Sequence, residues 1–266
     1  MNKKTTTIVS IAVILLISIV FAFVANGFLK KGNVSDTDNT PSQTDASENS
    51  QTETDNTGET EPSAPVEKPK PQFITAPDGY FENALFIGDS RTVGLCEYGG
   101  IDGATFFASV GLSVYKVNDE VVSVKNVGEF TLAELLNQRQ FNSIYIMLGI
   151  NEMGYNRETN IKKYTELVNT VRSLQPNAVI FIQANIHVSK TKGDENPVFK
   201  NSSIDEFNLT VGSLADGENI FYIDPNELFD DEYGNLDSQY SFDGVHLLGK
   251  NYITWAQWLA TKAIVK

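Results

Sequence analysis

One serine, one histidine and one aspartate in this chain have the types and spacing needed for nucleophilic catalysis. Ser90 follows a Gly-Asp pair, and His246 lies three residues after Asp243 near the C-terminus. A serine hydroxyl becomes nucleophilic at neutral pH when a neighbouring base accepts its proton. The base in turn needs a partner that fixes its tautomer and stabilises its charged form. His246 can act as the base and Asp243 as its partner, so these residues predict acyl-transfer chemistry.

Acyl transfer also needs hydrogen-bond donors aimed at the oxyanion of the tetrahedral intermediate. The backbone N–H groups of Ser90 and Gly111 and the side-chain amide of Asn151 can supply them. Gly111 lies in a Val-Gly-Leu segment, and Asn151 lies in a Gly-Ile-Asn-Glu segment. The predicted catalytic set is therefore Ser90, Asp243, His246, Gly111 and Asn151.

The elements that must position these residues alternate between strand and helix patterns. The apolar runs are continuous, which is typical of strands covered on both faces. Their alternation with helices predicts a parallel sheet with helices on both sides, where ligands bind at the carboxyl ends of the strands. The predicted strands are 84–87, 104–108, 143–148, 178–182 and 220–223, and the predicted helices are 131–138, 160–174, 203–214 and 249–262.

Four sequence blocks resemble those of the SGNH/GDSL hydrolases in order and in strand-end context. This resemblance implies a three-layer α/β/α sandwich with a flavodoxin-like, five-stranded parallel sheet, and a serine esterase or acylhydrolase activity. It gives the five residues above the same roles of nucleophile, base, acid partner and oxyanion donors. The blocks are Gly88-Asp89-Ser90, Gly111, Gly149-x-Asn151 and Asp243-x-x-His246.

The resemblance covers about residues 80–264 and departs from the family pattern at two positions. Glu152 stands where Asp is common, which leaves the hydrogen bonding of that loop open, although Asn151 has the chemical task. Arg91 stands where Leu is usual. Its guanidinium either contacts an anionic or hydroxyl-rich substrate or pairs structurally with one of the many acids.

Other polar residues have simpler interpretations. We expect Asp89 to hold the turn that presents the serine and Asp224 to have a structural role at a strand end. His187 has no aspartate at the spacing of a triad, so it is a candidate for lining the pocket and not for the base. The acidic run 230–237 does not match a calcium-binding loop, because its glycine is misplaced, and it predicts a solvated turn.

The segment 112–130 is long for a connection between a strand and a helix. Two apolar stretches, 114–117 and 121–124, flank Asn118 and Asp119. This pattern predicts a hairpin that turns at those two residues and forms one wall of the site.

Charge and composition exclude several classes of function. The net charge is −14, and residues 73–266 alone carry 14 Lys/Arg and 25 Asp/Glu, a net of −11. Phosphate binding needs clustered basic residues, so this acidity argues against a nucleic-acid partner. One cysteine excludes an intramolecular disulfide, and two histidines without paired cysteines favour no metal site and no cofactor. The oligomeric state has no signal in the sequence.

Residues 1–31 predict a membrane anchor. The run 8–29 is apolar or small apart from three polar residues, and 22 helical residues span ~33 Å, enough to cross a bilayer core. A cleaved signal peptide has an apolar region of only ~7–15 residues. The pattern therefore favours an uncleaved anchor with the N-terminus inside, while cleavage, the alternative, would give a secreted form.

Residues 32–72 predict a disordered acidic linker, and residues 73–266 predict the hydrolase domain. The part 32–67 holds nine acidic and no basic residues and is rich in Ser, Thr, Asn and Pro. Such a segment cannot bury enough apolar surface to offset its ordering entropy. Its 41 residues would span roughly 35 Å root-mean-square and hold the domain off the membrane.

Together these patterns predict an extracytoplasmic, single-pass serine esterase that removes a short acyl group, most plausibly acetyl, from an ester. An acylated glycan is favoured over a small molecule because a membrane-tethered enzyme outside the cell meets cell-wall carbohydrate first; this step rests on analogy. The same triad can pass its acyl group to a sugar hydroxyl, so an O-acyltransferase is the alternative. A non-catalytic glycan-binding module is a third, which the complete catalytic set argues against.

Overall fold

The structure, a computed structural model, describes residues 71–265 and contains a five-stranded parallel sheet. The sheet order is β2-β1-β5-β6-β7, and a separate antiparallel hairpin is formed by β3 and β4. This is the strand order of flavodoxin-like folds, as the resemblance implied. The strands are β1 (Ala84–Gly88), β2 (Thr105–Ala108), β3 (Val122–Val124), β4 (Gly128–Phe130), β5 (Ser143–Met147), β6 (Val179–Gln183) and β7 (Ile220–Ile223).

Helices cover both faces of the sheet and complete a three-layer α/β/α sandwich. They are α1 (Ser90–Tyr98), α2 (Leu132–Gln138), α3 (Arg157–Leu174), α4 (Lys190–Glu195), α5 (Asn201–Gly212), α6 (Asn226–Phe229) and α7 (Gly249–Leu259). One apolar core lies between the sheet and α2, α3 and α5, and a second lies between the opposite face and α1, α6 and α7. The prediction of strands covered on both faces is thereby confirmed.

A row of aromatic rings crosses the sheet and fixes the register of four strands. Phe86 of β1 stacks on Phe106 of β2 with ring centroids 4.8 Å apart and on Tyr145 of β5 at 4.6 Å. Tyr145 then stacks on Phe181 of β6 at 4.5 Å. Burial of each ring stabilises the fold by roughly 1.5–3 kcal/mol, so a slip of any of these strands would be costly.

The order of the strands determines where a site can form. From β1 the chain moves to β2 on one side and later returns to β5 on the other, so a crevice opens at the carboxyl ends of β1 and β5. Ser90 lies two residues after the end of β1, and Asn151 lies a few residues after β5. Two of the predicted catalytic residues are thus brought to the same edge of the sheet.

The predicted hairpin exists, but its predicted turn is wrong. The strands β3 and β4 pair around residues 125–127, whereas the segment 113–120 forms consecutive tight turns. Val114 and Val117 are both buried, and their spacing of three residues is that of a helical turn rather than of a strand. By contrast, the predicted helix at 131–138 is confirmed as α2, with Thr131 as its cap.

The predictions for residues 1–31 and for nearly all of the linker 32–72 fall outside the described residues. Within residues 71–265, no helix has both the length and the apolar character that crossing a membrane requires.

Candidate active site

Three predicted side chains form one hydrogen-bonded chain. Ser90 is the first residue of α1, and its Oγ lies 2.8 Å from Nε2 of His246. Nδ1 of His246 lies 2.7 Å from Oδ2 of Asp243. When Nδ1–H donates to the carboxylate, Nε2 is left as an acceptor for the serine O–H. The geometry is that of a nucleophile, a base and a group that orients the base.

The turn from Asp243 to His246 fixes both side chains. Oδ1 of Asp243 accepts hydrogen bonds from the backbone N–H groups of Val245 at 2.9 Å and His246 at 2.8 Å. Burial alone would raise the pKa of Asp243, but hydrogen bonds and the charge of His246 together lower that pKa well below its usual range. Gly244 has a φ of 76°, and a Cβ there would collide with Ser189, so only glycine fits. The carboxylate therefore stays ionised and correctly oriented.

The turn that presents Ser90 is held by Asp89. Its Oδ1 accepts the backbone N–H of Arg91 at 2.9 Å and caps α1, as the sequence predicted. Arg91 has no exposed surface, which removes its guanidinium from contact with substrate. Burial lowers the pKa of Arg91, while the charges of Asp89, Tyr252 and Asp243 raise it. Burial disfavours contact with substrate, but none of the described residues forms an ion pair or a hydrogen bond with the Arg91 guanidinium, so the nearby charges of Asp89 and Asp243 are all that the structure offers for the pairing alternative.

The predicted oxyanion donors lie on three segments, and the two that carry Gly111 and Asn151 touch each other. Gly111 follows β2 with a φ of 78°, and none of the described residues hydrogen-bonds to its N–H. Nδ2 of Asn151 donates to the backbone oxygen of Leu112 at 2.8 Å, which leaves its second amide hydrogen for another acceptor. The Ser90 N–H is at the start of α1, where helical N–H groups have no intrahelical partner. All three donors belong to the crevice edge of the sheet.

Glu152 is a site residue whose role the sequence left open. Its side chain is fully buried beside the Gly111 segment, and Oε1 accepts the backbone N–H of Val114 at 3.0 Å. Burial, with a smaller effect from nearby Asp89, raises the pKa of Glu152 to about 8. Two signals in the sequence pointed to it, its position next to Asn151 and the replacement of the Asp that is common there by Glu.

His187 is buried between two carboxylates. Its Nδ1 is 2.9 Å from Asp230, and its Nε2 is 2.9 Å from Asp205 on α5. Burial opposes protonation of His187, but the two acids outweigh it and raise the pKa. Asp230 opens the acidic run 230–237, so one member of the predicted solvated turn has a structural partner. Asp231 forms the turn itself by accepting two later backbone N–H groups.

The structure can be compared with two further predictions, the structural role of Asp224 at a strand end and the absence of a metal site. Oδ1 of Asp224 accepts the backbone and side-chain N–H groups of Asn226 at 2.9 and 2.8 Å, a strand-end contact away from the triad. Among residues 71–265, no group of three or more His, Cys, Asp or Glu side chains is arranged to hold a metal ion.

An exposed aromatic residue adjoins the predicted triad in the sequence. Phe242 immediately precedes Asp243 and is 92% exposed. The bridge between Ser241 and Leu247 closes the turn on which it stands, so the ring projects from a constrained backbone. Such an exposed ring beside a catalytic residue is a candidate contact for substrate.

The whole of this site lies in the region that matches a known family. The family model for GDSL-like lipases/acylhydrolases matches residues 86–252. The fold is similar to that of a GDSL-like lipase from Bacteroides thetaiotaomicron, at 14% identity and a TM-score of 0.52, over 70% of this chain and 89% of that chain. It is also similar to a protein from Streptococcus pneumonia named for platelet activating factor, at 20% identity and a TM-score of 0.50, over 67% of this chain and 81% of that chain.

No curated protein sequence matches the chain. The structural similarities, at such low identity, concern the fold alone. The family match is more specific, because it spans more than half of the chain and includes the serine, glycine, asparagine and histidine blocks. The chain therefore belongs to the GDSL-like lipase/acylhydrolase family, the SGNH/GDSL hydrolases, and is a serine hydrolase of the esterase class.

Proposed function

We propose that this chain is an extracytoplasmic, membrane-anchored esterase that removes a short acyl group, acetyl, from an ester on a carbohydrate or cell-wall glycan. The observation that carries the proposal is the hydrogen-bonded chain from Ser90 through His246 to Asp243. The esterase class follows from the family. The acyl group, the glycan, the location and the role of each residue are what we add.

In the first half of the reaction, Ser90 Oγ attacks the ester carbonyl while Nε2 of His246 accepts its proton. The carbonyl oxygen becomes an oxyanion, to which the N–H groups of Ser90 and Gly111 and the amide of Asn151 donate. The bond to the sugar oxygen then breaks as His246 returns the proton to that oxygen. The free sugar hydroxyl leaves, and the acyl group stays on Ser90 as an ester.

In the second half, His246 accepts a proton from water, and the resulting hydroxide attacks the acyl-serine carbonyl. Collapse of the second tetrahedral intermediate releases the carboxylic acid and returns the proton to Ser90. Asp243 stabilises the imidazolium that forms in each half without accepting its proton.

A short acyl group is supported by the low exposure of the nucleophile. Ser90 is 8% exposed, and Leu112 and Ile150, which flank the two oxyanion segments, are buried in the core. A long acyl chain would need an accessible apolar groove to bury it, whereas an acetyl group needs little apolar surface. We expect kcat/KM for 4-nitrophenyl esters to fall as the acyl chain lengthens from acetyl to octanoyl, and a preference for octanoyl would contradict the assignment.

A carbohydrate substrate is supported by Phe242. Its exposed phenyl face can pack against the C–H groups of a sugar ring while the acyl ester enters toward Ser90. Measurement of acetate released from an O-acetylated oligosaccharide tests this directly. With excess sugar acceptor, free acetate supports the esterase, whereas acetylated acceptor in its place would indicate an acyltransferase.

Membrane anchoring is supported by the apolar run 8–29 and its flanking lysines. We expect the full chain to stay in the membrane fraction after alkaline carbonate washing, and protease added to intact cells to remove the hydrolase domain. A chain that is released by carbonate, or protected from external protease, would overturn this part of the proposal.

A further inference from the structure

The fully buried carboxyl group of Glu152 joins two segments that carry oxyanion donors. Its Oε1 accepts the N–H of Val114, three residues after Gly111, at 3.0 Å. The preceding residue, Asn151, donates from Nδ2 to the carbonyl of Leu112 at 2.8 Å. Two successive side chains thus bind the backbone on the same side of Gly111.

We infer that Glu152 is a positioning residue that sets the Gly111 N–H relative to the reacting carbonyl by holding the Gly111 segment against the Asn151 segment. The inference rests on the proposed function, because it concerns the oxyanion donors of that reaction. Glu152 itself touches no reacting atom in this account.

The Gly111 segment is held by the hydrogen bonds of the residues that follow it and by the burial of Leu112 and Val114, and not by contacts to the glycine itself. A Cβ built on Gly111 would meet no atom within 4 Å, so nothing presses on this residue from the side-chain direction. Its φ of 78° lies in the left-handed region. The peptide at Gly111 therefore takes its orientation from the bonds that the next few residues make, and Glu152 accepts one of them.

The segment that carries Asn151 and Glu152 is itself held in place by further hydrogen bonds. The carbonyl oxygen of Glu152 accepts Nδ2 of Asn160, on α3, at 2.7 Å and the N–H of Tyr155 at 2.8 Å. Oδ1 of Asn160 in turn accepts the hydroxyl of Tyr115, in the Gly111 segment, at 2.9 Å. Through Asn160, Tyr115 thus adds a third hydrogen-bonded connection between the Gly111 segment and the Asn151 segment.

The protonation state of Glu152 makes its positioning role measurable, because it predicts a pH dependence of kcat. Burial raises its pKa to about 8, the Val114 hydrogen bond opposes the rise, and Asp89 on the β1–α1 turn adds to it. The other titratable groups that interact with it are Tyr115 and Tyr164, both with raised pKa values. At neutral pH the carboxyl is protonated and adds no negative charge near the developing oxyanion. Its ionisation would place a like charge close to the oxyanion and slow the reaction.

Two substitutions of Glu152 distinguish a positioning role in catalysis from a role in stability alone. In Glu152→Gln the amide oxygen can still accept from Val114 and cannot ionise. In Glu152→Ala the buried Val114 N–H loses its partner, at a cost of about 1–3 kcal/mol in the free energy of unfolding. Glu134→Gln is the matched control, because Glu134 is an acid that bonds backbone N–H at the start of α2, far along the chain from the site.

The experiment measures kcat and KM of the full chain for 4-nitrophenyl acetate from about pH 6 to pH 10, with the Ser90→Ala rate subtracted. We expect wild type and Glu134→Gln to lose kcat above about pH 8, whereas Glu152→Gln keeps it. At neutral pH, Glu152→Gln should stay within about threefold of wild type. Glu152→Ala should lose about tenfold to a hundredfold in kcat with little change in KM.

An alkaline fall in kcat that Glu152→Gln leaves unchanged would overturn the inference, as would a folded Glu152→Ala with normal kcat. If Glu152→Ala does not fold, the pH profile of Glu152→Gln alone decides. Failure of the proposed function looks different, since wild type would then be no faster than Ser90→Ala at any pH.

Discussion

Replacement of Asp243 by Asn tests how the structure controls the tautomer of His246. Oδ1 of Asp243 faces two backbone N–H groups at 2.8–2.9 Å, and Oδ2 faces Nδ1 of His246 at 2.7 Å. In the variant, the amide oxygen must stay with the two backbone donors, so the NH₂ group is turned toward Nδ1. That group can only donate, which forces the proton of the imidazole onto Nε2. Nε2 then cannot accept the proton of Ser90.

The expected loss follows from this inversion. A histidine held in the wrong tautomer costs about 10⁴-fold in kcat, or about 5.4 kcal/mol in activation free energy. KM for 4-nitrophenyl acetate should change little, because Asp243 does not contact the substrate. Both backbone hydrogen bonds remain available, so the thermal unfolding midpoint should fall by only a few degrees.

Asp224→Asn is the matched control for this prediction. Asp224 follows the end of β7 and, like Asp243, accepts a backbone N–H, but its partner is Asn226 rather than a histidine. We expect its kcat to stay within a few-fold of wild type. A folded Asp243→Asn that loses less than about tenfold would refute the proposed orientation of the base. Equal losses in the two variants would show that the assay reports stability rather than chemistry.

Three further predictions concern an oxyanion donor, a buried ion pair and the substrate contact. Asn151→Ala should lose about 10²-fold or more in kcat, measured at saturating ester, and a near-normal rate would remove this amide from the oxyanion site. The pKa of His187 is raised in the folded protein, so its ion pairs with Asp205 and Asp230 stabilise the fold fully at a pH below the ordinary pKa of histidine. This contribution is lost as the pH rises through the pKa of His187 in the folded protein. Urea unfolding should therefore show a stability advantage of wild type over His187→Gln that is larger at about pH 6 than at about pH 9, and a constant difference would contradict it. Phe242→Ala should raise KM for an acetylated oligosaccharide roughly 2–10-fold and leave KM for 4-nitrophenyl acetate unchanged, and an equal loss of activity on both substrates would contradict this. Tyr233→Ala, which removes another exposed ring, is the control.

Features that depend on neighbours in the chain could be predicted from the sequence. The continuous apolar runs identified all five strands of the parallel sheet, because burial on both faces favours apolar residues at successive positions of a strand. Thr131 and Glu134 identified the start of α2, since a capping box is complete within four residues. Asp243 and His246 also form a local motif, because the hydrogen bonds between them join residues only three positions apart.

Features that depend on distant contacts could not be predicted. Glu152 meets Val114 across 38 positions, and His187 meets Asp205 and Asp230 across 18 and 43 positions. No periodicity connects such residues, because only the folded sheet brings their loops together. The burial of Arg91 is of the same kind, since the sequence offered a substrate contact or a structural ion pair and did not indicate that the side chain would be fully buried. The turn of the β3–β4 hairpin was missed because an apolar pair at a spacing of three was interpreted as part of a strand.

The central claim is that His246 makes Ser90 the nucleophile of an acyl-transfer reaction. A fluorophosphonate reacts with an activated serine and leaves a stable adduct whose position peptide mass spectrometry can identify. We expect one adduct on the full chain, at Ser90, formed with loss of activity and greatly slowed in His246→Ala. An unlabelled Ser90 in an active enzyme, or labelling that is unchanged in His246→Ala, would contradict it.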